Sequence, residues 1–371
     1  MRSASVLPLA WFNFYRTYII AVGECRYYVR KIMKSHILIY MAAVALCAPA
    51  AWGQTGSSGY SFLELPSSAQ AFGLGGAAPA VINDDVNLAD QNPALIGPEL
   101  DKQVALSYMR WFGSSNFASV RYGMAAGERG AWMAGIRYIN YGSMTATSPD
   151  GTETGTFSPQ DIVFEGAYSH DFTDRLRGGI MMKMVYSNYE QYSAFAIATD
   201  LGINYYNEEH DLSFSAVVKN LGGQVKRFDQ TYDRLPIDLQ LGYMQGLGSS
   251  PFSLSITAWH LTKWDLPYYS HDKNDPDNQQ TKKSSFGSNL FRHLIFGIQY
   301  QPSETFYLDL AYNYKQRTDM SGYSRNFLSG FSAGLGLNVK SFRFAVGYAL
   351  PHRGGSSLML NVSTNLGELL H

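Results

Sequence analysis

The chain runs to 371 residues, with 29 Lys and Arg against 30 Asp and Glu, a formal charge of −1. That balance leaves no basic footprint for nucleic acid, and two cysteines are too few for a disulfide framework. No stretch after residue 54 is apolar for the ~20 residues that a spanning helix needs.

Residues 1–32 are basic and aromatic and show no domain-like pattern; they read as upstream sequence ahead of a true start at Met33. Met33-Lys34-Ser35-His36, an apolar run from Ile37 to Ala48, and the small residues Ala50 and Ala51 follow the grammar of a secretory signal. This places the signal over 33–53 and makes Gln54 the first mature residue. Both Cys25 and Cys47 precede that cut, so the mature chain has no thiolate for a metal site.

Residues 54–101 show neither a helical stripe nor strand alternation. Small residues crowd the stretch from Pro66, which continues through Asn83-Asp84-Asp85 to Asn92-Pro93-Ala94-Leu95. We read it as a hatch folded into the mouth or lumen of the barrel that follows. Its candidate residues are Asp84, Asp85, Asn92, Pro93 and Ala94, and Pro93 is expected to end it by biasing Asn92 away from helix. The alternative for Asn83-Asp84-Asp85 is a solvated turn. Gly73-Leu74-Gly75-Gly76-Ala77-Ala78 fits G-x-G-x-x-A, but no βαβ unit surrounds it.

From 102 to 371 the recurring pattern is alternation at period two. Fourteen candidate strands begin near Gln103, Asn116, Ala131, Gln160, Arg175, Ser193, His210, Pro236, Pro251, Phe291, Thr305, Phe327, Ser341 and Ser357. The long connections, Gly142–Ser158, Leu221–Leu235, Trp264–Asn289 and Gln316–Asn326, all follow odd-numbered strands. An all-β transmembrane barrel of about 14 antiparallel strands with an N-terminal plug predicts this length parity; a soluble sandwich does not. The less apolar face carries Arg121, Arg137, Arg177, Lys183 and Arg343 with Asp161, Glu165, Asp200, Asp238 and Asp309. Charges facing lipid would cost about 2–4 kcal/mol each for Arg or Lys at the midplane, so these face a lumen filled by ion pairs. Arg121, Arg137, Arg177 and Arg343 are the expected partners of Asp84 and Asp85, which are costly to bury unpaired.

Searching for chemistry yields no catalytic constellation and no cofactor site. Ser270-His271-Asp272-Lys273 has S-x-x-K spacing but lies in a Pro- and Asn-rich loop. Asp272, Asn274, Asp275 and Asp277 lack the Gly and Glu of a calcium loop. His260 and His293 read as strand residues on either side of the longest loop. That loop carries Trp264, Tyr268, Tyr269, Asp272 and Lys273. Aromatics beside polar residues suit a docking surface, or they continue the aromatic girdle expected of any membrane barrel.

Phe62-Leu63-Glu64-Leu65-Pro66-Ser67-Ser68-Ala69, Gly73-Leu74-Gly75-Gly76, Asp84-Asp85 and Asn92-Pro93-Ala94-Leu95 resemble the N-terminal hatch of the FadL-like outer-membrane barrels. Tyr138-Ile139-Asn140-Tyr141-Gly142, Arg292-His293-Leu294-Ile295-Phe296-Gly297, and Arg325-Asn326-Phe327 followed by Ser329-Gly330-Phe331-Ser332-Ala333-Gly334-Leu335-Gly336 bring the resemblance closer to the type IX secretion branch of that family. The resemblance implies a fourteen-stranded barrel in the outer membrane of a Gram-negative bacterium, with outer loops facing the exterior. It implies a non-enzymatic part in cargo export, bilayer lipid around the wall, and a soluble surface partner of the type IX attachment complex, PorZ-like or PorU-like. The alternative is a FadL-type channel for fatty acids or other hydrophobic compounds. That function would want an apolar lumen pocket and greasy outer loops, whereas Asp272–Ser285 is polar.

Overall fold

A computed structural model describes residues 59–369 except 112, 149, 230–231, 267, 273–274, 283–284, 320–327 and 353–354. The expected leader over 1–53 and Lys273 lie outside the described residues. Eighteen strands are described. In chain order they are β1 (Gln103–Arg110), β2 (Asn116–Ala125), β3 (Gly130–Asn140), β4 (Met144–Thr147), β5 (Glu153–Phe157), β6 (Gln160–Thr173), β7 (Leu176–Tyr189), β8 (Tyr192–Asn207), β9 (Leu212–Lys226), β10 (Asp238–Gly246), β11 (Phe252–Ala258), β12 (Tyr268–Asp272), β13 (Asp275–Lys282), β14 (Leu294–Ser303), β15 (Phe306–Asn313), β16 (Phe331–Val339), β17 (Phe342–His352) and β18 (Gly355–Asn365). Among the described residues, β4–β5 and β12–β13 form two separate hairpins, and the other fourteen strands close into one antiparallel barrel. Each strand pairs with the next in sequence, and β1 closes on β18 with Gln103 opposite Asn365.

Closure follows from the alternation. In β8, Ala194, Ala196, Ala198 and Asp200 are buried, while Ile197, Leu201 and Ile203 are exposed. The same split puts Arg121, Arg137, Lys183, Asp161, Glu165 and Asp309 inside. Leu106, Val120, Ile136, Phe164, Met182, Leu254, Ile298, Leu310, Phe344 and Leu360 face outward. A closed barrel with an apolar exterior is the surface a bilayer requires, because it leaves no strand edge unpaired. No helix among the described residues is long and apolar enough to cross a membrane.

Tight connections join β2 to β3, β6 to β7, β8 to β9, β10 to β11, β14 to β15 and β16 to β17. The two hairpins and the other long links stand at the opposite end. The wall is uneven in height. β6 to β9 run 14 to 16 residues, whereas β11 and β15 have only 7 and 8.

One expected start shifts. Phe291 belongs to a helix, Phe286–Arg292, whose N-cap Ser285 accepts from Ser288 N–H, so β14 begins at Leu294. The expected start at Phe327 lies outside the described residues; residues 328–330 form a turn, with Gly330 at φ 85, and β16 is described from Phe331. The link after Trp264 also contains the β12–β13 hairpin and this helix, where an unstructured loop was expected. His260 and His293 lie just outside strands, the first after β11 and the second at the end of the helix.

The segment 59–101 is built from short turns and one helix, Ala69–Gly73, capped by Ser68. Its first residues meet β9 at the long-loop end, where the Tyr60 hydroxyl bonds Gln224 at 2.9 Å. Its last residues sit at the short-turn end, where Asp101 Oδ1 accepts Ala125 N–H at 3.1 Å. In between it touches the inner face of the wall on many sides. A Cβ at Gly123, Gly179, Gly202, Gly242, Gly297, Gly334 or Gly347 would meet it. A chain in contact with that many strands of a closed barrel occupies the lumen.

Candidate functional site

The plug is joined to the wall by buried charge. Glu165 of β6 lies between Arg121 of β2 and Arg137 of β3, at 2.6 Å and 2.5 Å, with all three side chains excluded from solvent. Asp90 of the plug completes the cluster, 3.5 Å from Arg137 and 3.8 Å from Arg121. Two guanidiniums face two carboxylates, so the cluster is neutral, as buried charge must be. Spare donors go to the plug backbone: Arg137 Nη1 to Leu65 O at 3.0 Å and Arg121 Nη1 to Asn87 O at 3.2 Å. Asp90 Oδ2 accepts Ser67 N–H at 2.7 Å. Burial would raise the Asp90 carboxyl, but Arg121 and Arg137 hold it below the ordinary carboxylate value.

The expected acid–base partners are distributed differently. Asp84 meets Arg343 at 3.2 Å. Asp85 is buried and caps the next turn by accepting Asn87 N–H at 2.9 Å; burial raises its carboxyl. Arg121 and Arg137 serve Glu165 and Asp90 instead. Arg177 bonds Asp171 at 2.5 Å and Glu99 of the plug at 2.7 Å.

Asn92 is extended, at φ −159 and ψ 120, as a residue before proline should be. The plug does not stop there. Pro93–Leu95 is a single 3-10 turn capped by Asn92, and the chain continues through Pro98–Leu100 to the barrel. The Asn92 amide is fully engaged. Oδ1 accepts Ala94 N–H at 2.9 Å, and Nδ2 lies 3.3, 3.2 and 3.1 Å from Pro79 O, Ile203 O and Ser215 Oγ. Gly202 and Gly179 lie opposite, and a Cβ at Gly179 would come 2.5 Å from Pro93 O. Ala94 is buried in the same contact.

Elsewhere on the lumen face β9 bulges. Thr199 pairs with Leu221 and Leu201 with Val218, so Lys219 and Asn220 together oppose Asp200. Both turn inward, with Asn220 at φ 58. The bulge is fixed by Asn220 N–H to Asp200 Oδ1 at 2.7 Å and by Lys183, 2.5 Å from Asp200 and 3.0 Å from Asn220 Oδ1. It opens a cavity of about 10 Å³ against Glu64, Asp238, Gln240, Trp259 and His260, about the room one water takes. The packed surroundings, with Asp238 nearby, push Glu64 up to about 7 although its side chain keeps 39% of its surface exposed. Burial, with Lys315 and His293, pushes His260 down to about 3, so it stays neutral. No cluster of three or more His, Cys, Asp or Glu suited to a metal ion occurs among the described residues.

Above the wall, the base of the long loop is held by the helix Phe286–Arg292. Asn289 Nδ2 donates to Trp264 O at 2.5 Å, Arg292 Nη1 donates to Leu266 O at 2.6 Å, and His293 Nε2 lies 2.9 Å from Trp264 O. Tyr268, Tyr269 and Asp272 form the first strand of the hairpin beyond. Sequence reasoning missed Asp90, Asn289 and Arg292. Asp90 sits in Val86–Asp90, which has no periodic pattern, and Asn289 and Arg292 lie among residues read as loop and strand.

No protein-family model and no curated protein matches the chain. A deltaS2S3 mutant of the TodX monoaromatic hydrocarbon channel aligns over 81% of this chain and 99% of its own, at TM-score 0.50 and 13% identity. The Pseudomonas putida toluene transporter TodX covers the same share of this chain and 97% of its own, at 0.48 and 12%. A Pseudomonas aeruginosa FadL homologue likewise covers 81% of this chain and 98% of its own, at 0.46 and 11%. At such identities the likeness is one of fold alone: this chain is a closed antiparallel barrel like the TodX mutant channel structure.

Proposed function

We propose that the protein is a non-enzymatic outer-membrane barrel with a closed lumen that works at the cell surface as a PorQ-like component of type IX secretion, related to PorV. In this reading lipid surrounds the wall, the long loops face the exterior, and the β12–β13 hairpin helps hold a PorZ-like or PorU-like surface protein. One observation carries it: among the described residues the Arg121–Glu165–Arg137–Asp90 cluster and the packed plug fill the lumen, and the cavity beside the β9 bulge measures about 10 Å³. A barrel so filled offers its surface to partners rather than its interior to a substrate.

The second reading is a channel for hydrophobic compounds. The fold comparisons lend it more support than they lend the secretion reading, since the aligned TodX mutant is a monoaromatic hydrocarbon channel. Isolation in mild detergent separates the two. Co-purified surface or secretion proteins are expected under the first reading, and bound fatty acid without a partner under the second. Replacing Asp272–Lys283 with a short Gly-Ser linker should release the partner into the medium while the barrel still inserts. A partner that stays bound, with normal secretion, would remove the hairpin from the dock.

A further inference from the structure

We infer that the rim helix Phe286–Arg292, with Trp264 stacked against it, is a lipid-bound extension of the barrel wall that lies in the outer leaflet. The inference rests on the membrane reading of the barrel and not on which function the barrel serves.

The helix is amphipathic in reverse. Asn289 and Arg292 are buried, and both bond the Trp264–Leu266 backbone. Phe286, Leu290 and Phe291 are 72%, 38% and 50% exposed. A helix at the rim of a water-bathed surface should show the opposite arrangement, with its apolar stripe turned inward. Polar groups satisfied inside and apolar groups outside is the arrangement a hydrocarbon surround demands.

The occupant is indicated by continuity with the outward wall. In β14, Ile295 and Gln299 are buried and Ile298 faces out, so Phe296 shares the outward parity. Phe291 covers Phe296 at 6.4 Å between ring centroids and meets Tyr314 at 6.2 Å. On the neighbouring strands Tyr312 packs on Phe331 at 4.9 Å. Phe286 then meets Trp264 at 5.6 Å, and Trp264 stacks on His293 at 5.0 Å. Aromatic pairs thus recur from the lipid face of β14 to β16 up onto the helix, in three groups. This is the side where strands are short, so the helix continues apolar wall that β6 to β9 supply by length. Trp and Tyr at such a height suit the headgroup boundary. Trp264 therefore belongs to the lipid surface, and a protein dock on this loop begins beyond it.

The test is fluorescence quenching in vesicles of brominated phosphatidylcholine, with bromines either near the headgroup end or near the chain terminus. Trp132, outward on β3 beside Tyr122, is the internal control for insertion. Two difference signals are read: wild type minus Trp264→Phe, and wild type minus Trp132→Phe. The Trp264 signal should be quenched, more strongly by the bromines near the headgroup. Phe286→Ser, at a site too exposed to endanger folding, should weaken that quenching and shift Trp264 emission to the red. Quenching of Trp132 with none of Trp264 would overturn this inference alone and place the helix in water or under a protein. Quenching of neither would overturn the membrane reading with it.

Discussion

At the scale of single residues, Glu165 holds the most exposed position in the energetics. It neutralises two guanidiniums that have no access to water. Removing one partner of such a set costs about 3–5 kcal/mol, because the remaining charge is stranded. Glu165→Gln should lower the thermal midpoint of the detergent-folded barrel and expose residues 66–95 to protease, while Glu209→Gln, at a solvent-exposed pair with Arg175, should do neither. Glu64 makes a separate prediction about pH. Its folded-state value of about 7 lies above its ordinary 4.5. Below that ordinary value both states hold the proton. As pH rises through the window the folded state must ionise a carboxyl that its packed surroundings and Asp238 hold in the neutral form, so stability falls and the deficit is complete above about 7. Protease access to the plug should rise from pH 5 to pH 8, and Glu64→Gln should flatten the response. Asp90 has the opposite sign: its contribution is present above the ordinary value and is lost as pH falls through its lowered one. Alternation told which charges point inward, since parity fixes the face. It could not tell that Arg121 and Arg137 would find Asp90 while Arg343 found Asp84. That choice depends on the path of an irregular segment across the lumen.

At the scale of elements, the plug is seated by the places where the wall has no side chain. Gly334 allows the Ala69–Gly73 helix to touch β16, where Gly73 Cα approaches to 3.3 Å of an added Cβ. Gly179 does the same for the Pro93 turn against backbone that cannot move aside. Gly179→Val should leave the barrel able to close but displace the turn. The expected result is retained heat-modifiable mobility with new cleavage near Pro93; unchanged protection would show that the plug is held elsewhere. The strands were largely legible, because each is a run of alternating residues bounded by turn residues. The start of β14 was misplaced by a few residues because Phe291 continues the aromatic pattern of the strand it precedes. Phe291 packs beside Phe296 from a helix, so periodicity alone could not separate helix from strand.

At the scale of the molecule, a filled lumen should not conduct. Purified protein in a planar bilayer is expected to show no ion steps, and Gly179→Val to show them. Steady large conductance from the wild type would contradict the packing of residues 59–101. The number of strands and the side of the long links were readable from the spacing of connections, because a barrel returns its chain to the same rim at every second strand. The uneven wall was not, because strand length beyond the bilayer is set by pairing between neighbours and leaves no separate mark in either sequence.

The plug's path also gives the molecule a mechanical direction. Its first residues meet the wall at the end with long loops, and its last are covalently continuous with β1 at the other. Tension on Tyr60, drawn away from the long-loop mouth, would load the Asn92, Asp90 and Gly73 contacts together and end against the anchored strand. Tension on residues 98–101 from the opposite side would release those contacts one after another. The same stopper should therefore yield at a lower force to a pull from the short-turn side, a difference that single-molecule stretching from the two attachment points would measure.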